Sequence, residues 1–143
     1  VRKQVDLIKQ DLGWQGDEVE GVPPEYDYEK IECFMQGVRD YIKYLKRGFG
    51  RTAHLASIDI RNGRLSRDEG EALVNAYDGK RPGSLDLFLH YLGISEADFM
   101  EIVNGHVVSP HEPFDLEWAE ANKMNQKPWD FEQWTRVGGA DRA

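Results

Sequence analysis

The sequence predicts an all-α fold: an irregular bundle of about five to six helices, followed by an aromatic-rich C-terminal extension. Two observations lead to this prediction. Apolar residues recur every three or four positions as far as Gly105. Within that stretch, three serines are placed to begin short helices in succession. No alternation of apolar and polar residues competes as a strand, although residues 106–108 fit a short extended piece.

Length and composition restrict the class of protein. The 143 residues suffice for one domain with a buried core, and 40% of them are hydrophobic. No run approaches the roughly 18 apolar residues of a membrane span, and the opening segment lacks the apolar core of a signal peptide. The single cysteine, Cys33, excludes an internal disulfide, so we expect a cytoplasmic protein. A pI near 5.0 argues against duplex DNA or an anionic membrane surface as the main partner, and no nucleic-acid partner is predicted.

The chain divides into four predicted segments. Residues 1–12 have helical spacing of apolar residues but no start signal, so we expect the end of a helix that continues from an upstream part of the protein. Residues 13–27 are rich in glycine and proline and predict a loop. Residues 28–105 form the predicted helical domain. Residues 106–143 form the aromatic-rich extension, which could wrap the surface or reach another subunit, and this leaves homo-oligomerisation open.

Helices within the domain follow from periodicity and end signals. Their predicted bounds are Tyr28–Lys46, Thr52–Asn62, Ser66–Tyr77, Ser84–Leu92 and Ser95–Gly105. Gly48-Phe49-Gly50 ends the first helix and Gly63 follows the second, because glycine readily adopts the left-handed conformation past a helix C-terminus. Leu92 and Ile102 are expected to face the core.

A strongly basic segment lies in the middle of the chain. Between Arg39 and Arg67 there are eight of the 18 basic residues against only two acidic ones, whereas the whole chain carries a net charge of −8. Such a segment in an acidic background favours a local anion site. A solvated basic helix face fits the charges equally well, and charge alone does not decide between them.

Five residues in this segment are candidate anion ligands. The N-terminus of the second helix offers free backbone N–H groups, and an arginine offers a planar fork for phosphate or carboxylate. The predicted substrate-binding residues are Lys46, Arg47, Arg51, His54 and Ser57. Alternatively, His54 only packs the junction, and the cations only complement the dipole of the preceding helix. The histidines lack the helical spacing of a metal site, so no metal is predicted, and no catalytic residue can be named.

The run FMQGVRDYIKYLKRGFGRTAHLASIDIRNGRLSRDEGEAL resembles the C-terminal region of the N-acetyl sugar amidotransferases of lipopolysaccharide (O-antigen) biosynthesis. These belong to the PP-loop, N-type ATP pyrophosphatase superfamily. The resemblance depends on the helix that ends at Gly48-Phe49-Gly50, on Arg51–Ser57 and on Gly63–Glu69. Further short matches extend it to about Val103, over half to two-thirds of the chain.

The resemblance implies a reaction. ATP adenylates the oxygen of an acetamido group on a nucleotide-linked sugar, ammonia displaces AMP, and an acetamidino group remains. A separate glutaminase and its cyclase-like partner supply the ammonia. The S-G-G-x-D-S loop that grips pyrophosphate in such enzymes is absent from this sequence. The resemblance therefore implies that ATP binds to an N-terminal half. The present chain then supplies a substrate-binding or interface surface, inactive alone, in which Lys46, Arg47, Arg51 and His54 hold the diphosphate or uronate of the sugar nucleotide.

Two other functions compete with this interpretation. The chain could be a non-catalytic helical interaction module whose basic patch docks an acidic protein. An RNA-binding appendage is disfavoured, because the patch is small and few aromatic residues lie between the basic ones.

Overall fold

The computed structural model describes residues 2–16, 19–29 and 35–124, and the prediction of an all-α fold is confirmed there. These ranges contain seven α-helices, one short 3-10 helix (Pro24–Tyr26) and no β-strand. The helices are α1 (Arg2–Leu12), α2 (Gln36–Arg47), α3 (Arg51–Arg61), α4 (Arg67–Tyr77), α5 (Ser84–Leu92), α6 (Glu96–Asn104) and α7 (Leu116–Ala121). An isolated bridge pairs Arg81 with Lys123.

The main core lies between α2, α5, α6 and α7. Its buried residues are Val38, Tyr41, Leu45, Leu85, Leu89, Phe99, Met100, Val103 and Ala119. They come from one face of each helix, which is the packing that apolar residues at three- and four-residue spacing produce. Helices α3 and α4 pack against each other and contribute no buried residue to this core.

A second, smaller core involves the segment before α2. Val19, Val22 and Tyr26 are buried there together with Leu55 of α3. Thr52 Oγ1 donates a hydrogen bond of 3.0 Å to the carbonyl oxygen of Gly21, which ties this segment to the start of α3. Part of the predicted loop 13–27 is therefore packed against the helices.

Sequence signals for helix ends are confirmed at several positions. Ser66 and Ser95 each form a capping box with the acidic residue three positions on. Gly48 follows α2 with φ of 75°, and Gly63 follows α3 with φ of 67°. Each of these signals acts through atoms within a few residues of the helix end, which is why the sequence reveals it.

The predicted start of the longest helix at Tyr28 is wrong. Helix α2 begins at Gln36; Tyr28 and Glu29 lie in a turn that continues the 3-10 helix, and residues 30–34 are outside the described ranges. The Tyr26 hydroxyl donates to Asp59, and Glu29 pairs with Arg51. These tertiary contacts hold the chain in turns where the local pattern favours a helix.

Three further expectations about α5 and α6 are wrong. Ser84 is not an N-cap: its N–H and its hydroxyl both donate to the Glu20 carboxylate. Leu92 is 47% exposed, because Ile94, after the turn at Gly93, packs against the core instead. Ile102 is 56% exposed, because Met100 and Val103 occupy the buried face of α6.

The C-terminal extension contains a helix that the sequence did not predict. Helix α7 is capped by Asp115, and its Trp118 stacks on Phe114 with ring centroids 3.7 Å apart. Residues 106–108 belong to no strand or helix, and the Val108 N–H donates to the Lys46 carbonyl at 2.9 Å. The other aromatic residues of the predicted extension, from Trp129 to Trp134, lie outside the described residues. Among the described helices, none is long and apolar enough to cross a membrane.

Candidate functional site

The predicted site lies at the turn between α2 and α3. Gly48 adopts the left-handed conformation, Phe49 is 45% exposed, and α3 begins at Arg51. The Lys43 ammonium donates a 3.3 Å hydrogen bond to the Gly50 carbonyl and lies 4.6 Å from the centroid of the Phe49 ring. The turn is therefore held by contacts from within the basic segment itself.

The N-terminus of α3 already has an anion. The Asp78 carboxylate accepts hydrogen bonds from the backbone N–H groups of Gly50 (2.8 Å), Thr52 (3.0 Å) and Ala53 (3.2 Å). A Cβ atom at Gly50 would lie 2.4 Å from Asp78 Oδ1, so glycine is required for this approach. The backbone donors that were predicted to be available to a substrate are satisfied inside the protein.

Arg51 is also engaged with the protein's own carboxylates. Its Nε donates to Asp40 Oδ2 at 2.6 Å, and its Nη1 donates to Glu29 Oε2 at 2.9 Å. Burial disfavours the charged guanidinium, but the hydrogen bonds and charges of Asp40 and Glu29 outweigh it and raise the pKa of Arg51. The Arg51 side chain, 15% exposed, thus joins α3 to α2 and to the turn that follows the 3-10 helix.

The other four predicted residues occupy more open positions. The side chain of Arg47 is exposed, as is His54, and Lys46 is half-buried beside Val108. The hydroxyl of Ser57 donates to the His54 carbonyl at 2.9 Å. Within residues 2–16, 19–29 and 35–124, no hydrogen bond or ion pair engages the side chains of Lys46, Arg47 or His54. Of the five predicted residues, Arg51 is therefore paired within the protein, whereas the other four lie in more accessible positions.

Beneath Arg51 there is a small cleft. Its lining includes Glu20, Asp40, Asp78 and Lys80, and its volume is about 20 Å³. A cavity of that size holds about one water molecule and cannot admit a sugar or a nucleotide.

A larger groove runs between α3 and α4. It encloses about 360 Å³, and Ser57 is one of its lining residues. The full lining is Ala53, Ala56, Ser57, Ile60, Arg67, Gly70, Glu71, Val74 and Asn75. Among the predicted residues, Ser57 alone lines this groove, whereas Arg51 lines the small cleft.

The carboxylates that organise the turn were missed by the sequence prediction. Asp78 lies 25 to 28 residues from the backbone groups that it caps, and Glu29 lies 22 residues from Arg51. Local spacing therefore provides no signal for either partnership. One indirect signal was present, since Tyr77-Asp78-Gly79 is one of the short matches that extend the resemblance to about Val103. In the described part of the chain, no cluster of three or more His, Cys, Asp or Glu residues could hold a metal ion.

The chain matches a known protein family. A family model described as the LPS biosynthesis protein WbpG-like, C-terminal domain, matches residues 25–135. Neither a curated protein nor a solved structure matches the chain. The matched residues include α2 to α7, the α2–α3 turn and the α3–α4 groove.

Proposed function

Because this chain belongs to the WbpG-like C-terminal domain family of lipopolysaccharide biosynthesis proteins, we propose that it is the helical C-terminal part of an ATP-dependent sugar amidotransferase. The enzyme would convert an acetamido group of a nucleotide-linked sugar to an acetamidino group in the cytoplasm. The family match carries the proposal, and the resemblance of residues 34–73 to sugar amidotransferases supports its chemical detail.

ATP is assigned to another part of the enzyme. The α3 N-terminus does not fit a phosphate group while Asp78 accepts from Gly50, Thr52 and Ala53. The adjacent cleft of about 20 Å³ is far too small for a nucleotide. These residues are therefore assigned no contact with ATP. Ammonia would come from a glutaminase with a cyclase-like partner, for which an ammonium salt can substitute in an assay.

The role of this chain in the proposal is to hold the sugar nucleotide. Lys46, Arg47 and His54 have no side-chain partner among the described residues, so they can meet the diphosphate or uronate without breaking an existing ion pair. Arg51 acts differently, because an incoming anion would compete with both Asp40 and Glu29. We therefore assign direct contact to Arg47, Lys46 and His54, with Ser57 nearby, and a positioning role to Arg51.

Steady-state kinetics of the intact enzyme, in which this chain is joined to the proposed ATP-binding half, test this assignment. The assay measures release of pyrophosphate that depends on a UDP-linked diacetamido sugar, with ATP and ammonium chloride supplied. Loss of one charged contact costs about 1.5 kcal/mol or more, so Arg47→Ala should raise the sugar KM about tenfold. His54→Ala should raise it in the same direction. Arg51→Ala should raise KM or abolish turnover and also lower stability.

Arg61→Ala is the matched control, because Arg61 is an exposed cation at the other end of α3. Its KM should stay at the wild-type value. Unchanged kinetics for both Arg47→Ala and Arg51→Ala would reject the assigned residues. Absence of any sugar-dependent pyrophosphate release by the intact wild-type protein would reject the reaction and favour the interaction-module alternative.

A further inference from the structure

The groove between α3 and α4 has an apolar floor. Ala56 is buried and Ala53, Ile60 and Val74 are half-buried along it. A Cβ atom at Gly70 would lie 2.6 Å from Ile60 Cδ1, so the glycine leaves the room that the end of the Ile60 side chain occupies. The volume of about 360 Å³ is in the range of small-molecule sites, which run from roughly 300 to 1,000 Å³.

The rim of the groove is polar and has unused hydrogen-bonding capacity. The Ser57 hydroxyl donates a hydrogen bond to the His54 carbonyl, so the Ser57 oxygen remains free to accept one. The exposed amide of Asn75 forms no hydrogen bond to any other described residue. Arg67 and Glu71 form an exposed pair 2.8 Å apart, with side chains 84% and 61% exposed, and such a pair rearranges at little cost.

We propose that this groove binds the N-acetylated pyranose ring of the sugar nucleotide. That ligand has an apolar ring face and an acetamido methyl group, which match the alanine, isoleucine and valine floor. Its amide N–H needs an acceptor and its amide carbonyl needs a donor, and the rim presents both, from Ser57 or Glu71 and from Asn75 or Arg67. The inference rests on the proposed function, whose substrate it locates.

The position of the groove along α3 agrees with such a ligand. Ser57 lies three residues after His54, which is about 4.5 Å along a helix axis. A diphosphate at the α2–α3 turn and a sugar ring in the groove are thus within reach of one sugar nucleotide. The groove binds the pyranose ring, whereas Arg47 and His54 bind the diphosphate.

Direct binding measurements on the intact protein without ATP test the inference. Titration calorimetry would compare a UDP-linked diacetamido sugar with UDP, which lacks the pyranose ring. The variant Ala53→Leu places a larger side chain in the groove and should raise the Kd of the diacetamido sugar at least tenfold. It should leave the weaker binding of UDP unchanged.

Ala72→Leu is the matched control: Ala72 is an exposed alanine of α4 that does not line the groove. It should bind as the wild type does. Should Ala53→Leu fail to fold, Asn75→Ala replaces it and should raise the Kd of the diacetamido sugar about fivefold. Wild-type affinity in the groove variants, equal weakening by the Ala72 control, or equal loss for both ligands overturns the inference. Calorimetry measures binding without turnover, so it can support or reject the groove even if the pyrophosphate assay rejects the amidotransferase reaction.

Discussion

At the scale of single residues, carboxylates from distant parts of the sequence cap two helices whose own N-cap residue is glycine. Gly50 precedes α3 and Gly83 precedes α5, and neither has a side chain that can accept a hydrogen bond. Asp78 supplies the acceptors for α3, and Glu20 supplies them for α5. An N-terminus left unsatisfied in a half-buried position costs free energy, so each acidic residue stabilises a helix that it does not belong to.

Replacement of Asp78 tests this account. Asp78→Ala removes the acceptor of three backbone N–H groups, so we expect the free energy of unfolding to fall by about 3 kcal/mol. Asp78→Asn retains one acceptor oxygen and should lose about half as much. Urea denaturation monitored by circular dichroism measures both values.

Asp68→Ala serves as the control, because Asp68 is exposed in the first turn of α4 and makes no side-chain hydrogen bond to another described residue. A change within about 0.5 kcal/mol is expected there. If Asp78→Ala cost no more than Asp68→Ala, the remote cap would contribute nothing to stability.

At the scale of secondary-structure elements, α1 differs from the helices behind it. It contains no buried residue, and Leu7 and Leu12 are 58% and 77% exposed. Ion pairs connect it to the rest of the structure, from Arg2 to Asp59 and from Lys9 to Asp27. Helix stability in proteins comes mainly from packing an apolar face, so α1 should open more readily than α2.

Amide hydrogen exchange measures that difference. We expect the α1 amides to open with less than about 2 kcal/mol, while α2 amides open near the global free energy of unfolding. Sodium chloride at 1 M shortens the screening length to about 3 Å and should speed exchange in α1 alone. Lys9→Ala should do the same at low salt.

Lys3→Ala is its control, since Lys3 lies exposed on α1 and forms no ion pair with the other described residues. Exchange in α1 should be unaffected by that substitution. Equal protection of α1 and α2 in the wild-type protein would contradict the expected order.

At the scale of the whole molecule, Asp59 joins three parts of the chain. Its carboxylate, 2% exposed, accepts from Arg2 at 2.5 Å, from the Tyr26 hydroxyl at 3.0 Å and from Arg64 Nε at 2.7 Å. Burial alone would raise the pKa of Asp59, but the hydrogen bonds from Arg64, Tyr26 and Arg2 outweigh it and lower that pKa. Burial and the bond to Asp59 raise the pKa of Tyr26 to about 12.

This network predicts that the free energy of unfolding falls as the pH is lowered. Because the folded pKa of Asp59 lies below its ordinary value of 3.8, its contribution is present above about pH 4 and is lost as the pH falls through the folded pKa. We expect Asp59→Asn to lower the free energy of unfolding by about 3 kcal/mol at pH 7. The difference from the wild type should shrink below pH 3.8, as urea denaturation at each pH would measure.

Two other carboxylates act in the same direction. Bonds to Ser66 and Ser95 lower the pKa values of Glu69 and Asp98, so these residues also lose stabilising contacts in acid. Their effect is common to the wild type and the Asp59 variant and cancels when the two are compared at one pH. A difference that stayed constant from pH 7 to pH 2.5 would show that ionisation of Asp59 does not stabilise the fold.

The sequence by itself determined the all-α class, the bounds of α3, α4, α5 and α6 to within about a residue, and both capping boxes. These features depend on interactions between residues three or four apart, which a linear pattern displays. The late start of α2 and the existence of α7 escaped prediction, because partners distant in sequence hold Tyr26 and Glu29 in turns and seat Trp118 against Tyr44 and Phe114.

Within the candidate site, the sequence identified the turn and its accessible cations. Only the tertiary structure decided which of these groups are free to meet a ligand. Asp78 satisfies the backbone donors of α3, and Asp40 and Glu29 pair with Arg51. A hydrogen-bonding group can be recognised from its residue type, but whether the fold already supplies its partner depends on residues brought together from far along the chain.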